Sequence, residues 1–412
     1  MLGALFFKEC KQVLKSLVYL IYVVVFVLFI TGQMSSDSAE VLQAPVPGQS
    51  YYGTTVTKDE TLIMEGTLAN LVGDVYHNSW ATYPLGFYKG VTLTDRETEQ
   101  AEAILERCTG KPFAVLMEER SGHFGEYDPG SAEEMDAAQA NYKVPVKEGF
   151  TYAEFEAAMD EICDLVGRGS AYEKSKYEYG IRVPMTYELA KDEFDALCEK
   201  DRVTRAYMRL FCDYAGIVLA ILPIFVGVSR ALRDKRAKAQ QVMFSKSASG
   251  AQIIVSRYLA NLVMLCIPVF VTAFLMQQPF CYRAQALGIR ADGMAFLTVP
   301  GVWLLPEIMV LLALSFLITE LTDTILAVFL QVAWAIGSVF GADVLAGDFR
   351  MRLIARWNTL GQTTLFSSLE KEFLQNRGYY FLLAVVCVIL TVVIYERKRR
   401  KGGSLIWKNT AG

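Results

Sequence analysis

The stretch Ser229–Arg257, SRALRDKRAKAQQVMFSKSASGAQIIVSR, is basic and helix-compatible, and it lies between two apolar runs long enough to cross a bilayer. That placement predicts a cytosolic segment held against a membrane. The apolar runs of the chain centre on Leu17–Ile30, Tyr214–Val228, Tyr258–Met276, Phe296–Ile318, Thr324–Phe340 and Tyr379–Tyr395. Each approaches the roughly 17 to 25 residues that a helix needs to cross hydrocarbon, so six spans are predicted. The fourth is expected to be irregular, because Pro300 and Pro306 lie at its start and Glu307 follows directly.

Lys8, Lys11 and Lys15 precede the first run as they would in a secretory leader, but TGQMSSDSAE after it offers no A-x-A pattern. An uncleaved anchor is the reading. The N-terminal segment, Ser229–Arg257 and the tail ERKRRKGG are the basic segments expected on the cytoplasmic side. Six spans put both termini there by parity. The loop from Asp343 to Arg377 strains this assignment, since it would be external despite Arg350, Arg352, Arg356, Lys371 and Arg377. A re-entrant or interfacial piece near DFRMRLIARWNTLG, with arginines reaching headgroup phosphates, would relieve it.

Residues 33–207 form a long polar insertion holding most of the Asp and Glu, and its acidity argues against nucleic-acid binding. Thr94 with Glu97 and Thr151 with Glu154 have capping-box spacing. Phe155, Met159, Ile162 and Leu165 then recur at three- and four-residue steps, ending at GRGS. KPFAVLMEE and YGIRVPMTY read as strands, and ELAKDEFDALCEK as a further helix. A small mixed α and β domain is expected. Cys108, Cys163 and Cys198 fall in it and Cys281 on the same side; three cysteines in one domain favour buried free thiols over disulfides.

His77 and His123 are the only histidines, and neither an HExxH pair nor zinc-type cysteine spacing occurs. No G-x-x-x-x-G-K-[ST] loop is present, so the chain does not hydrolyse ATP in the P-loop manner. SGHFGE around His123 reads as a surface loop. Asp213, Glu307, Glu320 and Asp323 lie inside or beside apolar runs, where charge needs a partner or water. Glu307 is the candidate route-lining or conformation-sensing group, with a hydrogen bond to broken-helix backbone as the alternative.

Within the opening stretch, Leu232, Arg233, Arg236, Ala239, Gln240, Met243 and Phe244 recur at helical spacing. This stripe suits a membrane-surface helix attracted to anionic lipid, or a lever docked in a groove of a soluble partner.

The whole arrangement resembles a permease subunit of the ABC-2 class of ATP-binding-cassette transporters, in particular Gram-positive exporter-like permeases with a large outer domain between spans one and two. The resemblance rests on MLGALFFKECKQVLKS, the insertion, the join from RVTRAYMRLF through IIVSRYLA, and RWNTLG followed by NRGYYF. It implies an α-helical polytopic membrane protein with six transmembrane helices and an inserted extracellular α+β domain. The implied parts are 1–32 (interfacial helix and span one), 33–207 (extracellular domain), 208–228 (span two), 229–252 (coupling helix region), 253–341 (spans three to five), 342–378 (extracellular or re-entrant), 379–396 (span six) and 397–412 (basic cytoplasmic tail).

Leu232, Arg233, Arg236, Gln240, Met243 and Phe244 would couple to an ATPase, with Glu307 on a path or switch. The implied partners are two cytosolic ABC ATPase subunits carrying ATP and Mg, a second permease subunit, identical or related, and membrane lipid. The chain itself would bind no cofactor and catalyse nothing. The expected function is export of a hydrophobic or amphipathic substrate, such as an antimicrobial peptide, lipid or drug, at the cell membrane. The alternative is an ATPase-coupled envelope sensor.

Overall fold

The computed structural model describes residues 2–34, 43–84, 88–128, 130–178, 180–245, 247–340, 349 and 351–401. The chain forms two compact units: residues 1–43, 193–339 and 344–412 make one, and 44–192 with 340–343 the other. It begins with α1 (Leu2–Leu14) and α2 (Leu17–Gln33). Then come β1 (Thr54–Thr57), α3 (Glu60–His77), β2 (Trp80–Thr82), β3 (Lys89–Val91), α4 (Asp95–Thr109), α5 (Phe113–Gly125), α6 (Ala132–Asn141), α7 (Tyr152–Val166), α8 (Lys174–Tyr177), β4 (Ile181–Pro184) and α9 (Tyr187–Glu199). The remaining described elements are helices: α10 (Thr204–Leu219), α11 (Leu222–Ala231), α12 (Arg233–Arg236), α13 (Gln240–Phe244), α14 (Gly250–Ala286), α15 (Ala295–Trp303), α16 (Leu305–Thr322), α17 (Leu326–Phe340) and α18 (Thr363–Lys401).

The expectation of six transmembrane helices is corrected by this architecture. Among the described residues, α14, α16 and α18 are the single helices long and apolar enough to cross a membrane, and counting the bent pairs α1–α2 (68°) and α10–α11 (47°) as one span each raises the number to as many as five. Hydropathy reports how apolar a run is but not whether it forms one straight helix. The second run bends where Pro223 opens α11, since proline lacks an amide and suits a helix start. The fourth run breaks at Leu304, just ahead of Pro306, while Pro300 stays inside α15. The fifth yields only a shorter apolar helix. With three to five candidate spans in place of six, the parity that placed both termini on the cytoplasmic side of the cell membrane no longer follows, and that localisation is withdrawn.

The expected α+β domain is also corrected. Residues 44–192 fold as helices with two antiparallel strand pairs, β1 with β4 (Thr54 opposite Pro184) and β2 with β3 (Trp80 opposite Val91). KPFAVLMEE opens α5 instead of a strand, with Pro112 at its N-cap. Ala, Leu, Met and Glu favour helix, and a short apolar run does not separate strand from helix by period alone. His123 accordingly sits in the last turn of α5 and not in a loop, its Nε2 2.9 Å from the Ala138 carbonyl. YGIRVPMTY does contain β4.

Both capping boxes form, Thr94 with Glu97 and Thr151 with Glu154. Phe155, Met159 and Ile162 of α7 are buried, packed with Leu68, Leu71, Val72, Leu105 and Trp80 in this unit's core, and Leu165 is half-buried. Gly66 and Gly73 on α3 allow close approach, because a Cβ at Gly66 would meet Ile181 at 2.5 Å and one at Gly73 would meet Arg120 at 3.1 Å. All the cysteines are free thiols, and burial pushes that of Cys108 up to about 11.

Candidate functional site

The opening stretch does not form one helix. Its first residues end α11, and α12 and α13 are single turns separated at 237–239, where Lys238 takes a left-handed backbone (φ 52°). A non-glycine residue there interrupts helical hydrogen bonding, so the stripe read from the sequence is cut in two.

What organises the segment is a knot of charge centred on Glu9 of α1. Glu9 Oε2 accepts from Arg230 Nη2 at 2.8 Å and Arg233 Nη1 at 2.9 Å, Oε1 accepts from Arg233 Nη2 at 2.9 Å, and Arg257 Nε lies 3.6 Å away. Gln12, one turn on, accepts from Arg230 Nη2 at 3.1 Å and from Arg233 Nη1. Asp234 accepts from Arg257 Nη2 at 2.8 Å and Arg233 Nε at 3.2 Å. Glu9, Arg230 and Arg257 are buried, so each charge depends on its neighbours. Burial acts to raise the Asp234 carboxyl, but Arg257 and Arg233 outweigh it and hold the group below the ordinary carboxylate range.

The end of α18 fastens the same region. Arg399 donates to the Phe244 carbonyl at 2.9 Å and to that of Ala248 at 2.7 Å. Glu396 accepts the Gly250 amide at the start of α14; a Cβ at Gly250 would stand 2.5 Å from its carboxyl oxygen, so any larger residue would displace the Glu396 side chain. Lys398 is buried between Glu320 and Asp323, 3.4 and 3.0 Å away, and Lys235 donates to the Asp323 carbonyl at 2.8 Å. The residues expected as a free basic tail are thus partly structural; 402–412 lie outside the described residues.

Of the expected coupling residues, Leu232 is buried and Arg233 is spent on Glu9, Gln12 and Asp234. Met243 and Phe244 pack against Ile253, Ile254 and Tyr395, with Phe244 edge-on to Tyr395 at 5.6 Å. Arg236 is exposed, and the side chain of Gln240 lies outside the described residues. Glu9, Gln12, Glu396 and Lys398 were missed. Glu9 had one visible signal, as the lone acidic residue among Lys8, Lys11 and Lys15.

A second polar layer in the same unit holds residues 349–363. Asn376 Nδ2 donates to the Phe349 carbonyl and, at 3.0 Å, to that of Arg352. Arg377 Nη2 reaches the Leu353 carbonyl at 2.9 Å and the Tyr380 hydroxyl that of Met351 at 2.6 Å. Arg356 pairs with Asp213 at 2.8 and 3.1 Å, and Thr363 donates to Asp201 at 2.6 Å. Arg356 and Arg377 are therefore committed to protein groups and not to lipid phosphates; Arg350 lies outside the described residues. Glu307 is fully buried.

Comparison with protein-family models, with curated proteins and with solved structures finds no match. The resemblance to an ABC-2 permease thus finds no support, and the six-span frame beneath it is not the one observed. A transporter reading also needed charges facing a path and a basic helix facing outward. The charges described here are instead closed in pairs within the chain. Export, transport and the envelope-sensor alternative, which used the same frame, are withdrawn.

Proposed function

We propose that this chain is a non-catalytic protein whose helical unit is seated in lipid and whose charge-knotted segment 229–257 carries a docking edge for a partner protein. One observation supports lipid contact above the others. The exposed faces of the long helices are apolar at helical spacing: Leu382, Val385, Val386, Ile389, Leu390 and Val393 on α18, and Val263, Ile267, Val271, Phe274 and Leu275 on α14. Extended apolar stripes of this kind are rare on monomers that face only water.

The docking edge is what the knot leaves uncovered, chiefly Lys235, Arg236, Gln241 and Val242. The residues themselves call for a soluble partner; an ATPase is the class that only the ABC-2 resemblance implied, and it is the occupant put to the test. Alkaline washing of membranes from expressing cells tests the first part: the protein is expected in the pellet, and release into the supernatant refutes lipid seating. Affinity capture with wild type and with Arg236→Glu/Val242→Glu tests the second. Loss of a copurifying ATPase in the variant supports the edge; capture of the same proteins by both forms refutes it.

A further inference from the structure

Glu307, the third residue of α16, is a buried acid outside the knot. It is fully buried, and neither carboxyl oxygen accepts a hydrogen bond. Arg377 of α18 approaches it only to 3.5 Å, because its donors are committed elsewhere. Nη1 bonds the Trp303 carbonyl at 3.0 Å, Nη2 the Leu353 carbonyl at 2.9 Å, and Nε the Asn376 side chain at 2.9 Å. The groups facing the carboxyl are Cys212 and Gly216 from α10, Leu304 before α16, Ile354 from the 349–363 strap, and Arg377 with Tyr380 from α18. Asp213, beside Cys212, is occupied by Arg356.

A buried carboxylate ion without hydrogen bonds is among the most unfavourable arrangements in a protein, whereas a neutral carboxyl in the same place is tolerable. Arg377 meanwhile spends a guanidinium on backbone carbonyls, those of Arg352 and Leu353 on the strap among them, although a carboxylate would take two of its bonds in a fork. We propose that Glu307 is an internal proton-binding site: it holds a proton while Arg377 grips the strap, and on releasing that proton to water it draws Arg377 off the strap carbonyls into a two-bond ion pair. Arg377 keeps its own charge throughout, so the strap is freed by one proton leaving. The argument stands on core geometry and is independent of lipid seating.

The test uses the full chain in detergent micelles. Infrared spectra of wild type minus Glu307→Gln are expected to show, near pH 7, a protonated-carboxyl C=O band that shifts in D₂O and is absent from the variant. Hydrogen exchange of 351–361 in wild type relative to the variant should be about equal near pH 6 and at least ~10-fold faster near pH 9, once the carboxyl ionises. Absence of the band overturns the proton site, and a ratio that stays flat with pH overturns the clamp. Glu307→Met, apolar and similar in length, serves for the subtraction if the Gln variant does not fold.

Discussion

Replacing Glu9 by Gln probes the charge knot most directly. The substitution keeps the side-chain shape and one acceptor but sets an amide NH₂ against guanidinium donors and removes the negative charge shared by Arg230, Arg233 and Arg257. Arg230 and Arg257 are buried, and Asp234, the remaining anion of the knot, already serves Arg233 and Arg257. Breaking a buried pair from one side costs about 3–5 kcal/mol, because the surviving charge is stranded. Arg233 is about a quarter exposed, so Arg233→Gln alone should cost less, about 1–2 kcal/mol. The two changes remove one interaction between them, so their effects should fall short of additivity by about 0.5–3 kcal/mol.

Proteins open locally as well as globally, which makes native-state hydrogen exchange on residues 2–14 and 229–257 the suitable assay. A loss of ~3 kcal/mol corresponds to exchange faster by roughly 100-fold. Lys8→Gln, an exposed neighbour, should leave exchange unchanged. If Glu9→Gln stays within about twofold of wild type, the knot is not what holds α1 to the segment.

Other outcomes concern the unit formed by 44–192. Burial raises the Asp74 carboxyl above its ordinary value, against the lowering effects of the Tyr172 hydroxyl bonded at 2.7 Å, Arg120 and His77. The folded state therefore binds this proton more tightly than the unfolded chain, and stability should fall as pH rises from about 4 through the higher folded value. Asp74→Asn should flatten that dependence in denaturant titrations; an unchanged slope would show that Asp74 is not its source. Phe155→Ala empties a fully buried site against Tyr152 and Tyr177 and should destabilise by about 3–5 kcal/mol, read as a lower denaturant midpoint of this unit. Gly169→Ala places a Cβ 2.5 Å from the Tyr83 carbonyl carbon at a φ of +83°, and faster exchange of the Tyr83 amide, bonded to the Gly169 carbonyl at 2.9 Å, is expected. Retained protection there would contradict the required close approach.

Local chemistry was legible in the sequence. Thr94, Thr151 and their glutamates marked two helix starts because a capping box involves only residues three apart. The stripe Phe155, Met159, Ile162 marked its buried face for the same reason, and apolar runs marked where long helices would be. The stop at 237–239 and the bend in the first run were not legible from period, whereas the bend at Pro223 and the helical form of 113–125 had local causes, a proline and helix-favouring residues, that a reading by apolar period passes over. The basic stretch itself shows the division. Its charge is a property of composition, but its orientation is decided by Glu9, more than 200 residues earlier, and by Glu396 and Arg399, more than 140 residues later. Buried charge must find counter-charge wherever the fold supplies it, and only tertiary structure brings those residues together.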